Sequence, residues 1–90
     1  FEPNATVTRE QMAAILFRYA NFKKLDTSAR ADLTAFPDAG SVSAYATDAM
    51  SWANASGIIV GSNGKLVPQD GASRAQVAAI LHRFIENCIF

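Results

Sequence analysis

The chain has 90 residues, half of them apolar, which suffices for one small globular domain and no more. Eight Lys and Arg balance eight Asp and Glu, and this excludes a nucleic-acid partner held by phosphate neutralisation, which needs a basic patch. No apolar run approaches the ~20 residues of a membrane span, and so short a domain buries only about two-thirds of its unfolded surface, so it gains by packing against something else.

The first predicted element is a helix over 8–23. Thr8-Arg9-Glu10-Gln11 fits a capping box: the Thr hydroxyl accepts from the third helical amide, and the Gln side chain reaches back to the cap amide. Met12, Ile15, Leu16 and Tyr19 then recur at helical spacing, and Ala13 and Ala14 widen the stripe with small residues. Val7 is placed to staple onto the first turn. Residues 23–35 have no clean period and read as a connection. Phe36-Pro37-Asp38 is an extended segment entering a turn, because Pro restricts the residue before it.

Ser41 or Ser43 is expected to cap a helix carrying Tyr45, Ala49, Trp52 and Ala53, which ends at Gly57 with Ile58 in the place of a Schellman contact. This helix is expected to brace the last one from outside. Ile58-Ile59-Val60 is too short for a helix. Gly61-Ser62-Asn63-Gly64 is a turn, around which a two-strand ribbon has just enough room. Ser73-Arg74-Ala75-Gln76 repeats the capping box and opens a helix over 73–87 striped by Val77, Ile80, Leu81 and Phe84. The fold class is all-α with loops.

The two ends of this scheme are copies of each other. Phe1–Tyr19 reappears as Leu66–Phe84 without a gap, with Pro3/Pro68, Arg9/Arg74, Gln11/Gln76, Ala13/Ala78, Ala14/Ala79, Ile15/Ile80, Leu16/Leu81 and Arg18/Arg83 identical. An internal repeat implies an array of one supersecondary unit, so whatever its polar residues do is done at two equivalent places. The chain begins without Met and inside the first copy, and reads as a piece of a larger protein.

An Arg at the first helical position is locally unfavourable, since it meets the positive end of the helix dipole at a cost of about 0.3–1 kcal/mol. Arg9 and Arg74 both stand there. An external anion would offset the cost, with exposed amides and a guanidinium fork converging on one carboxylate. The competing reading pairs each Arg with a carboxylate of the chain itself, Asp38, Asp48 or Asp70. Trp52 either fills the core, as its helical spacing favours, or stacks on a sugar. Cys88, spaced from Leu81 and Phe84 as on one helix face, is a structural thiol rather than a reactive one. His82 has no nucleophile or carboxylate pattern around it. Asp26 and Asp32 lack the spacing of a calcium loop. No catalytic, metal or cofactor constellation is found, and the chain reads as no enzyme.

In their order, Phe36-Pro37-Asp38, the Trp52-Ala53 helix, Gly57-Ile58-Ile59-x-Gly61, Gly64-x-Leu66-x-Pro68 and Ser73-Arg74-Ala75-Gln76 resemble the S-layer homology (SLH) family, whose signature element is Thr-Arg-Ala-Glu. The resemblance implies 1–24 as the latter half of a first repeat, 25–35 as a linker and 36–90 as a complete second repeat with an extension. It implies an extracellular module that holds a bacterial surface protein noncovalently on the cell wall. The implied partner is a secondary cell-wall polysaccharide, often one carrying a pyruvate ketal, or a peptidoglycan-linked glycan. The family's signature Arg, which meets the acidic sugar, maps onto Arg9 and Arg74, with the capping hydroxyls of Thr8 and Ser73 beside them. Gly61, Ser62 and Asn63 either lend backbone amides and polar groups to the groove wall or, as their turn signal favours, form a plain turn. The signature Glu is replaced by Gln11 and Gln76, which keeps the cap but removes a negative charge beside each Arg. With one and a half repeats present, a second role stands beside glycan binding: assembly on further SLH repeats or on a second copy.

Overall fold

A computed structural model describes residues 7–61 and 64–89. Three α-helices carry the fold: α1 (Arg9–Phe22), α2 (Thr47–Ala55) and α3 (Arg74–Phe84). Short 3₁₀ turns at Leu33–Ala35, Ala39–Ser41 and Ala44–Ala46 shape the long connection, and α3 runs on into a wider turn at Ile85–Ile89. Among the described residues there is no strand; an isolated antiparallel bridge joins Thr8 to Gly71. The all-α expectation holds.

Both capping boxes form as their sequences predict. The Gln11 amide donates to Thr8 Oγ1 at 3.2 Å, and the Thr8 amide donates to Gln11 Oε1 at 2.9 Å. At α3 the same two bonds link Ser73 and Gln76 at 3.2 and 2.8 Å. The expectation for α2 needs correction. Ser43 does precede its leading turn but makes no capping bond. Its hydroxyl instead donates to Glu10 Oε1 at 2.7 Å, a charge-assisted bond that outcompetes a neutral cap.

The end of α2 is a complete Schellman motif. The Ile58 amide donates to Ala53 O at 2.9 Å and the Gly57 amide to Asn54 O at 3.1 Å, while Gly57 takes φ +74°. Ile58 is thereby turned fully into the core. A methyl group at residue 57 would meet Asn87 Nδ2 at 3.1 Å as well as the left-handed backbone penalty. Gly57→Ala is therefore expected to cost about 1–2 kcal/mol, read as a lower urea midpoint at unchanged slope.

The core gathers Met12 and Leu16 from α1, Met50 and Trp52 from α2, Ile58, Ile59 and Leu66 from the loop, and Ile80 and Phe84 from α3. Trp52 is fully buried between Phe17 and Phe84, at ring distances of 5.4 and 6.2 Å, so the core reading of this residue is the observed one. A second correction concerns α2, which lies chiefly along α1 and meets α3 mainly through Trp52 and the turn that follows. Small residues explain the choice. Ala13 and Ala20 of α1 and Ala46, Ala49 and Ala53 of the α2 segment are all buried, letting the two backbones approach closely. Ala78, the repeat partner of Ala13, is exposed.

Candidate functional site

Arg9 is one of the most buried polar residues of the chain, with 6% of its surface exposed. Its Nε donates to Leu66 O at 3.0 Å and its Nη2 to Val60 O at 2.6 Å. The helix end beneath it is filled as well: the Arg9 and Glu10 amides donate to Asp70 O and Pro68 O at 3.1 and 3.0 Å. The second copy of the repeat thus plugs the first helix of the chain with its own carbonyls. This differs from both sequence-based readings of Arg9, an external anion at an open helix end or an internal carboxylate. Burial, then the neighbouring Arg83 charge, lowers the Arg9 pKa from its ordinary value, against the opposing pull of Asp70 and Asp38. Arginine stays cationic at neutral pH regardless.

The loop that receives Arg9 is itself clamped. Asp38 Oδ1 and Oδ2 accept from the Leu66 and Val67 amides, each at 2.8 Å, and Val67 is held at φ 43°, a left-handed value that β-branched residues rarely adopt. Glu10, 3% exposed, accepts from the Ser43 amide at 3.0 Å, the Ser43 hydroxyl and Gln69 Nε2 at 2.9 Å. Gln69 also donates to Ser41 O. Asp38 therefore serves the loop and does not pair with an Arg.

The bond from the Leu66 amide holds the Asp38 carboxyl below the usual carboxylate range, with the Val67 amide and Lys65 helping against a partial desolvation. A depressed native pKa means that the carboxylate stabilises the fold fully above its unfolded value, near 3.9, and ceases to as pH falls through the native one. Asp38→Asn is expected to lower the melting temperature at pH 7 and to flatten its fall between pH 5 and 2, measured by circular dichroism.

Beside Arg9 lies a cleft of about 190 Å³, lined by Val60, Gly61, Gln76, Ala79, Ile80 and Arg83 together with Arg9 itself. Among the described residues, its lining holds two guanidinium groups and no carboxylate. Arg83 is half-buried and tethered only loosely, through Nη1 at 3.5 Å from Ile58 O. Of the residues singled out from the sequence, Arg9 and Gly61 come together here. Thr8 and Ser73 have their hydroxyls engaged in the caps. Arg74 is exposed at the start of α3 and does not line the cleft. Ser62 and Asn63 lie outside the described residues. Gln76 and Arg83 were not singled out as binders, though both belong to identical repeat pairs, Gln11/Gln76 and Arg18/Arg83, and their spacing sets them on one helix face.

The remaining polar candidates resolve into local structure. Asp26 and Asp32 each accept from a hydroxyl and an amide two residues on, Ser28 and Thr34, and those bonds hold both carboxyls below their ordinary pKa. His82 Nε2 lies 3.0 Å from Glu86 Oε1 on the exposed face of α3. Cys88 is half-buried, and burial pushes its thiol pKa up, against a bond with Ser56. Among the described residues, no three His, Cys, Asp or Glu gather as a metal site, and no helix is long and apolar enough to cross a membrane.

The chain is 33% identical over 86 residues, 94% of its length, to an amylopullulanase of Thermoanaerobacterium thermosulfurigenes, and spans 5% of that protein. No solved structure matches. The family model described as the S-layer homology domain matches residues 35–78, the segment that holds the Phe-Pro-Asp turn, α2, the plugging loop and the second capping box. Domains of this kind occur in cell-surface proteins, bind cell-wall polymers and act as non-catalytic anchoring modules. Residues 35–78 of this chain match the S-layer homology domain family.

Proposed function

We propose that the chain holds a bacterial surface protein on its envelope by binding an acidic secondary cell-wall polysaccharide in the cleft between the 58–61 segment and α3. The observation that carries this reading is a cleft holding two guanidinium groups with no carboxylate in its lining among the described residues. Like charges kept together in a partly desolvated place are unfavourable alone and favourable around an anion. A polysaccharide bearing carboxylates, as pyruvate ketals do, supplies one at each repeat. Arg74, exposed beside the Ser73 cap, is a second point at which the same polymer can be met. In this reading residues 1–24 are the latter half of a repeat, 25–35 a linker and 36–90 a further repeat, and the chain takes no part in catalysis.

The test is sedimentation with purified cell-wall sacculi, native and stripped of secondary polymer. Binding to native walls that disappears on stripping supports the proposal, and indifference to stripping removes it. A second reading has its own observation. Ile15, Leu16 and Tyr19 of α1 and Leu81, Phe84, Ile85 and Ile89 of the α3 end form an apolar groove, and of these Ile15, Tyr19, Leu81, Ile85 and Ile89 are exposed. Such a face suits a further repeat or a second copy of the chain. Light scattering separates the readings: an oligomer that ignores walls favours assembly, and a monomer that sediments with native walls favours glycan binding.

A further inference from the structure

We infer that Asp38 is the catch of an acid-sensitive latch: its carboxylate holds the 66–70 segment over the start of α1, and protonating it lets that segment lift away while α2 and α3 stay formed. The inference concerns the joint between the two copies of the repeat and is independent of what the cleft binds.

Main-chain bonds make most of this joint. The Arg9 and Glu10 amides donate to Asp70 O and Pro68 O, and the Ala72 amide donates back to Val7 O at 2.7 Å. The segment that offers these carbonyls lies in no helix or strand, so no regular ladder fixes its shape. Asp38 fixes it from outside. One carboxylate oxygen accepts from the Leu66 amide and the other from the Val67 amide, each at 2.8 Å. Two successive amides around a left-handed residue form a concavity that suits an anion, and Val67 at φ 43° is that residue. A β-branched side chain rarely adopts this backbone, so the segment has reason to relax once the anion is gone.

Protonation removes the match. A neutral carboxylic acid presents one carbonyl oxygen and one hydroxyl to two amide donors, in place of two acceptors. The charges facing Asp38 are Lys65 from the segment and Arg9 from α1, both cations whose attraction ends with the carboxylate. Glu10 on α1 is occupied with Ser43 and Gln69, and Asp70 lies toward Arg9. His82 is away on the exposed face of α3 with Glu86. The Leu66 amide holds the Asp38 carboxyl below its ordinary range, so the closed joint favours the carboxylate and the open one takes the proton more readily. Acid therefore favours opening, and the effect grows as pH falls through the lowered value.

Leu66 and Pro68 are fully buried, which keeps the latch shut at neutral pH. On opening, the Leu66 carbonyl that receives Arg9 Nε leaves with the segment. The ends of α2 and α3 are closed locally, by the Schellman turn at Gly57 and by Ser73 with Gln76, and do not rely on Asp38.

Amide hydrogen exchange of the full chain between about pH 6 and pH 3, corrected for the intrinsic pH dependence, tests this. The Leu66, Val67, Arg9, Glu10 and Ala72 amides are expected to lose protection roughly tenfold, as for loss of a hydrogen bond to a charged group. The Ile58 and Val77 amides, bonded to Ala53 O and Ser73 O, should keep theirs. Asp38→Asn should show fast exchange at the joint already at neutral pH, with no further step in acid, whereas Glu10→Gln should retain the step. The parent's own profile decides even where Asp38→Asn does not fold. Equal losses at the joint and at Ile58 and Val77, the mark of whole-chain unfolding, overturn the inference. An unchanged profile in the parent, an acid step that survives in Asp38→Asn, or one that vanishes in Glu10→Gln overturns it as well.

Discussion

Replacing Arg9 with Ala is expected to remove a large part of the chain's stability. The substitution strands two carbonyls that now receive the guanidinium, the buried Leu66 O and the part-buried Val60 O; a buried group left without a partner costs about 1–3 kcal/mol and a part-buried one less. The expected loss is therefore about 2–5 kcal/mol. Stabilities of whole domains are only ~5–15 kcal/mol, and a 90-residue chain belongs near the lower end. The loss also frees the loop that plugs the start of α1, so Leu66 would leave the core along with it. Arg9→Lys should recover less than half, because one ammonium cannot serve two carbonyls in the geometry of a planar fork. Arg74→Ala, at an exposed position, should stay within ~0.5 kcal/mol of the parent. Urea unfolding followed by the fluorescence of Trp52 measures all three. A midpoint for Arg9→Ala equal to that of Arg74→Ala would show that the carbonyl contacts contribute nothing.

Trp52→Ala is expected to be comparably severe, at about 3–5 kcal/mol, because the indole is fully enclosed between Phe17 and Phe84 and its removal leaves a cavity where α1, α2 and α3 meet. Trp52→Phe should cost much less, under about 1.5 kcal/mol, since it keeps an aromatic ring in place. It also removes an indole N–H that has no hydrogen-bond partner, so no polar contact is lost with it. Thermal unfolding by far-ultraviolet circular dichroism reads both variants without relying on the missing fluorophore. If Trp52→Phe proved as damaging as Trp52→Ala, the indole N–H would have to make a contact that the fold as described does not contain.

The parts of this fold that were legible in the sequence are those governed by neighbours in the chain. Thr8 with Gln11, Ser73 with Gln76, and Gly57 with Ile58 are local chemistry, and each forms its bonds where the residue types require. What periodicity cannot supply is the partner of a face. Ala13 and Ala78 are the same residue at the same repeat position, yet one is buried under α2 and the other is exposed. The role of Arg9 was hidden for a related reason. It bonds to carbonyls 57 and 51 residues away, and every residue has a carbonyl, so no side-chain pattern marks these two. Arg9 and Arg74 look alike in sequence and differ only because the 66–70 loop covers one helix start. Likewise Ser43 carried a cap signal that the carboxylate of Glu10, 33 residues distant, drew away. Arg83 was visible as one of the identical repeat pairs, but its meaning depends on the 58–61 segment coming to lie opposite it.

In the proposed reading, the chain divides structural from binding duties between one pair of guanidinium groups. Arg9 locks the two copies of the repeat together, and the cleft it helps to form is left lined on the other side by Gln76 and Arg83. The most direct measurement is nitrogen-15 nuclear magnetic resonance of the full chain during titration with a pyruvate-ketal hexoside. Shifts should concentrate at the Gly61 amide, the Gln76 side chain and the Arg83 Nε, moving together with one dissociation constant. Silence at these three groups, with shifts gathered at Arg18 and Tyr45 or nowhere, would contradict the placement of an acidic sugar between Arg9 and Arg83.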